Sequence, residues 1–260
     1  MTSPLARLGG ALWAAYEYVA MVAGLGALAV LCLAWLPFAL LCSVLPERAG
    51  RWVGRLAIMI GFRLYLHFLT LFCACRFDLA ALDGLRRDQP LILVANHPSL
   101  LDVVMIVSRL PDAVCVMKAA LMDNILLGAA ARLARYIRND APMSMVRQAR
   151  AELRQGAHLV IFPEGSRTLD FPLDPCTAAA GLIAHAADVP LQALVIEFSS
   201  PYLGKAWPLL RKPELPLRFS IRLGRRFAPP ADARRFTQEL EDYFRAEMAA
   251  ESPQRQGTAS

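Results

Sequence analysis

Two short polar motifs in this sequence carry the residue types that acid–base chemistry and anion binding require. They are Asn96-His97-Pro98-Ser99-Leu100-Leu101-Asp102 and Phe162-Pro163-Glu164-Gly165-Ser166-Arg167-Thr168, and each follows an apolar run. In the first motif, a helix beginning just after His97 would bring the Asp102 carboxylate to one imidazole nitrogen. The carboxylate would fix the tautomer while the other nitrogen takes a proton from a substrate hydroxyl. A helix-capping histidine beside a solvated aspartate is the alternative interpretation of this motif alone.

The second motif combines a flexible backbone position with two charged side chains. Gly165 lets the chain adopt a positive φ angle or approach a ligand closely. The guanidinium of Arg167 offers a fork of donors that suits a phosphate or a carboxylate. Glu164 would hold that arginine or contact a polar head group. A tight turn with a surface ion pair is the alternative, but two such motifs at predicted strand ends favour one shared site.

The elements around these motifs follow an α/β alternation. Apolar strands are predicted at 91–95, 113–117, 158–162 and 190–198, with a late strand at 218–223. Helices are predicted at 99–110 (with Ser99 as N-cap), 119–135, 142–156, 177–187 and 231–249. The predicted fold class is therefore α/β, a mixed, partly parallel sheet with helices on both faces. Such sheets place their sites beyond the carboxyl ends of the strands, where both motifs lie.

The N-terminal region predicts a membrane-embedded helical segment ahead of this domain. Residues 1–46 contain only two charged side chains, Arg7 and Glu17, and residues 18–46 contain none. This run exceeds the roughly 20 residues that cross a bilayer core. Pro37 would kink or end a helix, so a broken or re-entrant helix is also open. A buried core helix is a further alternative, whereas a cleavable signal peptide is disfavoured by the length.

Residues 51–75 predict a basic amphipathic helix, either at the bilayer interface or packed on the catalytic domain with a solvated basic edge. Arginines are more frequent after the apolar run than before it, which places the bulk of the protein on the cytoplasmic face. The net charge of +6 suits an anionic leaflet, and no nucleic-acid motif is present. The six cysteines lie mostly in apolar runs and indicate a reducing compartment.

The motifs resemble those of the glycerolipid acyltransferase superfamily, whose best-known members are 1-acylglycerol-3-phosphate acyltransferases. The N-H-x4-D motif of that family matches Asn96, His97 and Asp102, and its F-P-E-G-[TS]-R motif matches residues 162–167. The softer matches are Lys118, Tyr136-Ile137-Arg138 and Val189-Pro190. The resemblance covers residues 75–225. The expected domains are membrane-anchoring helices at 1–75, a catalytic domain at 76–250 and a flexible tail at 251–260.

The resemblance implies acyl transfer from acyl-CoA or acyl-carrier protein to the hydroxyl of a lysophospholipid such as 1-acylglycerol-3-phosphate, at a membrane. His97 would act as the base and Asp102 would orient it. The acceptor would be held by Arg167, with Glu164, Gly165, Arg138 and Lys118 as further binding residues. Backbone N–H groups near a motif would stabilise the oxyanion. No cofactor and no metal are implied.

Two departures from the family pattern leave the acceptor open. The segment 175–181 lacks the cation that often follows the second motif, and Val189-Pro190 lacks a second proline shortly afterwards. A lyso-aminolipid or a glycolipid acceptor is therefore an alternative. A metal-dependent hydrolase would need a third ligand beside His97 and Asp102. A serine hydrolase is disfavoured by the lack of a G-x-S-x-G motif, and a non-catalytic lipid-binding module would not need the His–Asp pair.

Overall fold

The computed structural model describes residues 4–42 and 44–256. The helices are α1 (Pro4–Cys42), α2 (Glu47–Phe72), α3 (Leu101–Arg109), α4 (Ala119–Asp123), α5 (Ile125–Leu133), α6 (Pro142–Arg154), α7 (Ala179–Ala187) and α8 (Ala233–Gln256). The strands are β1 (Cys75–Asp78), β2 (Ile92–Ala95), β3 (Ala113–Met117), β4 (Ile137–Arg138), β5 (His158–Ile161), β6 (Leu191–Phe198) and β7 (Leu217–Phe227). A 3-10 helix covers Ala80–Arg87.

The strands form one mixed sheet in the order β1-β7-β6-β2-β5-β3-β4. The five strands from β6 to β4 are mutually parallel. β7 is antiparallel to β6 and parallel to β1, so the outer pair runs in the opposite direction. Strands β2 and β5 lie in the centre and are buried along their whole length, as expected for parallel strands covered on both faces. The predicted α/β fold class is confirmed.

The direction of the crossovers places helices on both faces of the sheet. The chain moves from β2 outward to β3 through α3, and it returns inward from β4 to β5 through α6 and from β5 to β6 through α7. Since parallel crossovers are right-handed, opposite directions of travel lead to opposite faces. Accordingly α6, α7 and α8 pack together, whereas α3 packs against α2, and α5 against α1.

The structure departs from the predicted elements at several short segments. Strands β1 and β4 were not predicted, because four and two residues are too few for a periodic pattern. The single helix predicted over 119–135 is two helices, separated at Asn124, whose ψ angle of 131° is extended. The late strand is longer than 218–223. Helix α8 continues to Gln256, and the last four residues of the predicted tail lie outside the described residues.

The two N-terminal helices are both long and apolar enough to cross a membrane, by length and composition alone. Helix α1 continues through Pro37, so this proline does not end it. The predicted segment 18–46 also covers residue 43, which lies outside the described residues. Most large apolar side chains at the protein surface belong to this pair: Leu8, Leu12, Trp13, Tyr18, Val19, Val22, Val30, Leu33, Leu40, Leu41, Trp52, Ile60, Leu64, Leu71 and Phe72.

Helix α2 packs on the domain through a buried side and also exposes large apolar side chains on its outer side. The buried side is mostly apolar but also carries Arg55, which contacts Asp112, Glu152 and the carbonyl oxygen of Ala134. The outer side exposes apolar residues, with Trp52 among the most exposed. The predicted packing of this helix on the catalytic domain is observed. A basic face toward lipid head groups and a solvated basic edge are not observed for Arg55 and Arg63, because Arg55 binds carboxylates and Arg63 binds the carbonyl oxygen of Ser108.

The rest of α2 is part of the main hydrophobic core. Tyr65, Leu66 and Leu69 belong to the same buried cluster as the central strands. A division of the chain at residue 75 stays a prediction, although the two parts share this core. All six cysteines are free, and none of them is fully exposed.

Candidate active site

The site is built at the carboxyl edge of the parallel strands, where β2 and β5 lie side by side. Asn96, directly after β2, fixes this edge by bonding across to β6. Its Nδ2 donates to the carbonyl oxygen of Ile196 at 2.9 Å, and its Oδ1 accepts the Ile196 N–H at 2.8 Å. The side chain thereby continues the sheet hydrogen bonding for one more pair and sets the direction in which the chain leaves the strand.

His97 and Asp102 form the contact predicted from their spacing. The distance from His97 Nδ1 to Asp102 Oδ2 is 2.8 Å. The same carboxylate oxygen accepts the backbone N–H of Ser99 at 2.8 Å. The other imidazole nitrogen, Nε2, has no partner among the residues that the structure describes, and the side chain of His97 is 15% exposed. One ring nitrogen is therefore oriented by a carboxylate while the other faces an accessible position.

The carboxyl group of Asp102 lies in a fully buried position in the first turn of α3. Burial raises its pKa above the ordinary value, while the hydrogen bonds from His97 and Ser99 and the positive charge of Arg167 oppose that shift. Its Oδ1 atom is buried without a partner among the described residues. The structure thus holds a carboxyl group against the imidazole although burying this group costs stability.

The second motif wraps around the backbone and the ring of His97. The Phe162 ring stacks on the imidazole with 3.8 Å between centroids and 15° between planes. Glu164 Oε1 accepts the backbone N–H of His97 at 2.9 Å, and the His97 carbonyl accepts the N–H of Thr168 at 2.8 Å. The ring and the main chain of His97 are thereby held from both sides.

Glu164 is a positioning group rather than the partner of Arg167. Its second carboxylate oxygen accepts the N–H of Asp174 at 2.9 Å, so its two oxygens join two distant loops. Burial is the main cause that raises the pKa of Glu164 above its ordinary value. Gly165 has a φ angle of +68°, a conformation that residues with a side chain rarely adopt. This angle, and not a lack of space, explains the glycine, since an added Cβ would meet only Thr177, at 3.8 Å.

A third segment, the loop that follows β6, completes the site and was not predicted from the sequence. The Ser99 hydroxyl donates to the carbonyl oxygen of Tyr202 at 2.7 Å, and the N–H of Leu100 donates to that of Leu203 at 3.1 Å. Arg167 Nη1 donates to the carbonyl oxygens of Leu203 at 2.7 Å and Gly204 at 3.2 Å. The loop therefore binds both motifs at once.

The backbone of this loop has its own special positions. Leu203 is buried and has a φ angle of +58°, which is uncommon for a leucine. Gly204 approaches the first motif so closely that an added Cβ would lie 2.8 Å from the Pro201 oxygen and 3.1 Å from the Pro98 oxygen. The only sequence signal for this loop was a glycine-containing irregular stretch after a strand, which predicted no function.

The two softer candidates lie at the same edge but farther along the sheet. Lys118 follows β3, which is separated from β2 by β5, and its side chain is exposed. Arg138 ends β4, one strand beyond, and forms ion pairs with Asp123 and Asp140. These carboxylates raise the pKa of Arg138 above its ordinary value. The structure brings together His97, Asp102, Glu164, Gly165 and Arg167, and it does not join Lys118 or Arg138 to them by any described contact.

Within residues 4–42 and 44–256, no group of three or more histidine, cysteine, aspartate or glutamate side chains is arranged to hold a metal ion. Two of the other histidines have partners of their own. His158 Nδ1 accepts the N–H of Leu91, and His185 contacts the carbonyl oxygen of Pro230. A metal-dependent hydrolase therefore lacks a third ligand in the described part of the chain.

Comparison with known proteins places this site in a family. Residues 76–197 match the family model described as Acyltransferase, and no curated protein gives a significant match. The crystal structure of the 1-acyl-sn-glycerophosphate (LPA) acyltransferase PlsC from Thermotoga maritima is similar, with a TM-score of 0.70 and 17% identity over 92% of this chain and 98% of that one. Both motifs lie inside the matched segment. Residues 76–197 therefore contain an Acyltransferase domain, as the motifs predicted, and the chain shares the fold of the PlsC structure.

Proposed function

We propose that this protein is a membrane-bound O-acyltransferase that moves a fatty acyl chain from acyl-CoA or acyl-carrier protein to the hydroxyl of a lysophospholipid such as 1-acylglycerol-3-phosphate. The observation that carries the proposal is the imidazole of His97, held by a buried carboxylate at 2.8 Å and accessible at its other nitrogen. This arrangement is the base of a catalytic triad in which no hydroxyl of the described residues bonds to Nε2, so a substrate hydroxyl takes that position.

The reaction follows from this arrangement. His97 Nε2 removes the proton of the acceptor hydroxyl, and the oxygen attacks the thioester carbonyl carbon. Asp102 stabilises the imidazolium while the tetrahedral intermediate exists. The carbon–sulfur bond then breaks, the acyl chain stays on the acceptor oxygen, and the thiol leaves with the proton from His97. The backbone N–H groups of Ser166 and Arg167, which have no partner among the described residues, are the donors proposed for the oxyanion.

A phosphate on the acceptor is supported by Arg167. Its Nη1 is occupied by the loop carbonyls, whereas Nε and Nη2 have no partner among the described residues. These remaining donors form a fork suited to a phosphate oxygen pair. The similar PlsC structure is of an enzyme named for 1-acyl-sn-glycerophosphate, which favours this acceptor over a lyso-aminolipid or a glycolipid.

Membrane attachment is supported by exposed apolar surface at two places. Helix α1 and the outer side of α2 present apolar side chains that water would solvate poorly. Loops at the carboxyl edge of the sheet, together with the short helix α4, present more, namely Leu100, Leu121, Leu169, Phe171, Leu209 and Leu210. The edge that carries His97 therefore has an apolar rim, as an enzyme acting on lipids in a bilayer requires. Attachment at the cytoplasmic face stays part of the proposal.

The test is acyl transfer by His97→Ala. We expect it to lose transfer from radiolabelled acyl-CoA and from acyl-carrier protein to 1-acylglycerol-3-phosphate by roughly 100-fold or more, while it still floats with liposomes. His185→Ala, on α7, is the matched control and should keep wild-type activity. Unchanged transfer in His97→Ala would exclude His97 as the base.

A panel of lyso-lipids, read by mass spectrometry, tests the acceptor. We expect the largest rate with a phosphate monoester head group. A larger rate with a lyso-aminolipid or a glycolipid would move the acceptor to that class without changing the role of His97. Activity that a chelator removes and zinc restores would favour the metal-dependent hydrolase instead.

A further inference from the structure

The second motif alone supplies too little positive charge for a phosphate monoester, which carries about −1.5 to −2 charges at neutral pH. Asp102 and Glu164 contact the ring and the backbone of His97, so two carboxyl groups lie next to the reacting centre. Arg167 uses one terminal nitrogen on loop carbonyls. The segment 175–181 contains no cation. Another positive side chain near Arg167 is therefore needed.

Lys205 is in that position. Its Nζ donates to the hydroxyl oxygen of Ser166 at 3.1 Å, between Gly165 and Arg167 in the second motif. It follows Gly204, whose backbone lies against Pro98 in the first motif. Lys205 thus comes from the same loop that binds both motifs.

The ammonium group of Lys205 is available to a ligand. It has three donors, and Ser166 takes one of them. The carboxylate of Asp174 lies at 4.0 Å, the limit of an ion pair, and already accepts the backbone N–H groups of Leu169 and Asp170. The side chain is 40% exposed, so an incoming anion reaches it without displacing packed residues.

The other cations near this edge are less suited to the task. Arg138 is paired with two carboxylates. Lys118 follows β3, two strand positions from β2, which corresponds to about 10 Å along the sheet. Arg211, in the same loop as Lys205, lies over the ring of Trp207 at 4.8 Å. Of these side chains only Lys205 contacts the second motif.

We infer that Lys205 is a second ligand of the acceptor phosphate and selects acceptors with a phosphate monoester head group, together with Arg167. The role of Lys205 rests on the proposed acceptor class. Lys205 holds the anion from the loop side while the free edge of the Arg167 guanidinium holds it from the strand side. This lysine would not strengthen the binding of a head group that has no negative charge.

The test measures lipid binding by the full chain in detergent, without an acyl donor. Binding of radiolabelled 1-acylglycerol-3-phosphate and of monoacylglycerol is compared for the wild type, Lys205→Met, Lys205→Arg and Arg211→Met. We expect Lys205→Met to weaken binding of the phosphate lipid by about tenfold or more, the size of one charge-assisted hydrogen bond. Monoacylglycerol binding should stay unchanged, and Lys205→Arg and Arg211→Met should resemble the wild type.

The outcomes separate this role from the proposed function. Equal loss for both lipids, an equal loss in Arg211→Met, or no loss in Lys205→Met would each overturn the role of Lys205. Selective loss with no acyl transfer by the wild type would support Lys205 as a phosphate ligand and reject the proposed reaction. When transfer is measured as well, the effect of Lys205→Met should fall on KM for 1-acylglycerol-3-phosphate, with kcat changed by less than about threefold.

Discussion

Asp102 is fully buried, yet only one of its carboxylate oxygens has a partner among the described residues. A buried polar atom without a partner costs about 1–3 kcal/mol. A protein that retains such a group beside its proposed base gives up stability for a fixed imidazole. We therefore expect mutation of this carboxylate to change activity and stability in opposite directions.

Replacing Asp102 with asparagine should lower activity and raise stability. We expect acyl transfer to fall roughly 100-fold or more, because the amide does not stabilise the imidazolium. Burial raises the pKa of Asp102, so the folded wild type binds its proton more tightly than the unfolded chain does. The wild type then loses stability as the pH rises above about 4, and the variant does not.

The measurement is the difference in Tm between Asp102→Asn and the wild type at several pH values. That difference should become more positive as the pH rises above about 4. A constant difference would mean that Asp102 does not titrate differently in the folded protein. Asp242→Asn, on the exposed side of α8, provides a control for loss of one carboxylate.

Replacing Glu164 with glutamine tests the position of the His97 backbone. Glutamine keeps one acceptor oxygen, so either the His97 N–H or the Asp174 N–H loses its partner. We expect kcat to fall about tenfold or more through a small shift of His97, with the KM for the acyl donor unchanged. A loss confined to the KM for the acceptor would instead assign Glu164 to the head group.

Local spacing explains which residues could be predicted. The contact of His97 with Asp102 lies within one helical turn, so the sequence positions alone indicate it. The contacts of His97 with Glu164 and of Ser99 with Tyr202 join residues 67 and 103 positions apart. No local pattern reports such pairs, because the sheet order that joins them is a property of the whole fold.

At the scale of elements, the loop after β6 connects the two motifs. It carries the carbonyls that hold Ser99, Leu100 and Arg167, and its residue Leu203 adopts a positive φ angle. A backbone conformation that a leucine rarely adopts persists only when its surroundings determine it. The loop is therefore held in one conformation beside the site.

Substituting Gly204 with alanine should displace this loop. The added Cβ would lie 2.8 Å and 3.1 Å from two backbone oxygens, which cannot move as a flexible side chain would. We expect kcat/KM to fall about 10- to 100-fold from misplacement of the first motif. Gly84→Ala is the matched control, since no atom lies within 4 Å of its Cβ position. Equal activities of the two variants would contradict a fixed loop.

The elements that could be predicted are those with a strong apolar pattern. The central strands β2, β3, β5 and β6 were predicted within a few residues because each is a continuous buried run. Strands β1 and β4 depend on their neighbours for hydrogen bonds, and their few residues carry no period. The loop after β6 has neither a periodic pattern nor a motif. Its contribution to the site could therefore be recognised only in the structure.

At the scale of the whole molecule, α2 joins the exposed apolar surface of the N-terminal helices to the core of the domain. Arg55 contacts Asp112 and Glu152 on the inner side, while Trp52 and Leu64 are exposed on the outer side. A sequence pattern reveals that such a helix is amphipathic, but it does not reveal which side faces the protein. Here carboxylates on the loop before β3 and on α6 allow Arg55 to be buried on the inner side together with apolar residues.

Replacing Arg55 with methionine should destabilise the molecule. The change leaves the largely buried Glu152 without its closest cation, a loss of about 3 kcal/mol. Arg48→Met, an exposed arginine at the same end of α2, should change stability by less than about 0.5 kcal/mol. Thermal unfolding in detergent measures both. Equal shifts would show that Arg55 does not hold α2 on the domain.

The ion pairs of Arg55 also determine the order in which the chain can assemble. Its partners lie 57 and 97 residues later in the sequence, so α1 and α2 leave the ribosome long before the groups that will bind Arg55 exist. We expect α2 to dock on the domain only after α6 has been made. A ribosome-bound chain ending at residue 110 should therefore have a protease-accessible α2, whereas the full chain should protect it. The two helices thus contribute part of the core around which the domain folds. We expect a version that lacks them not to fold into a soluble enzyme.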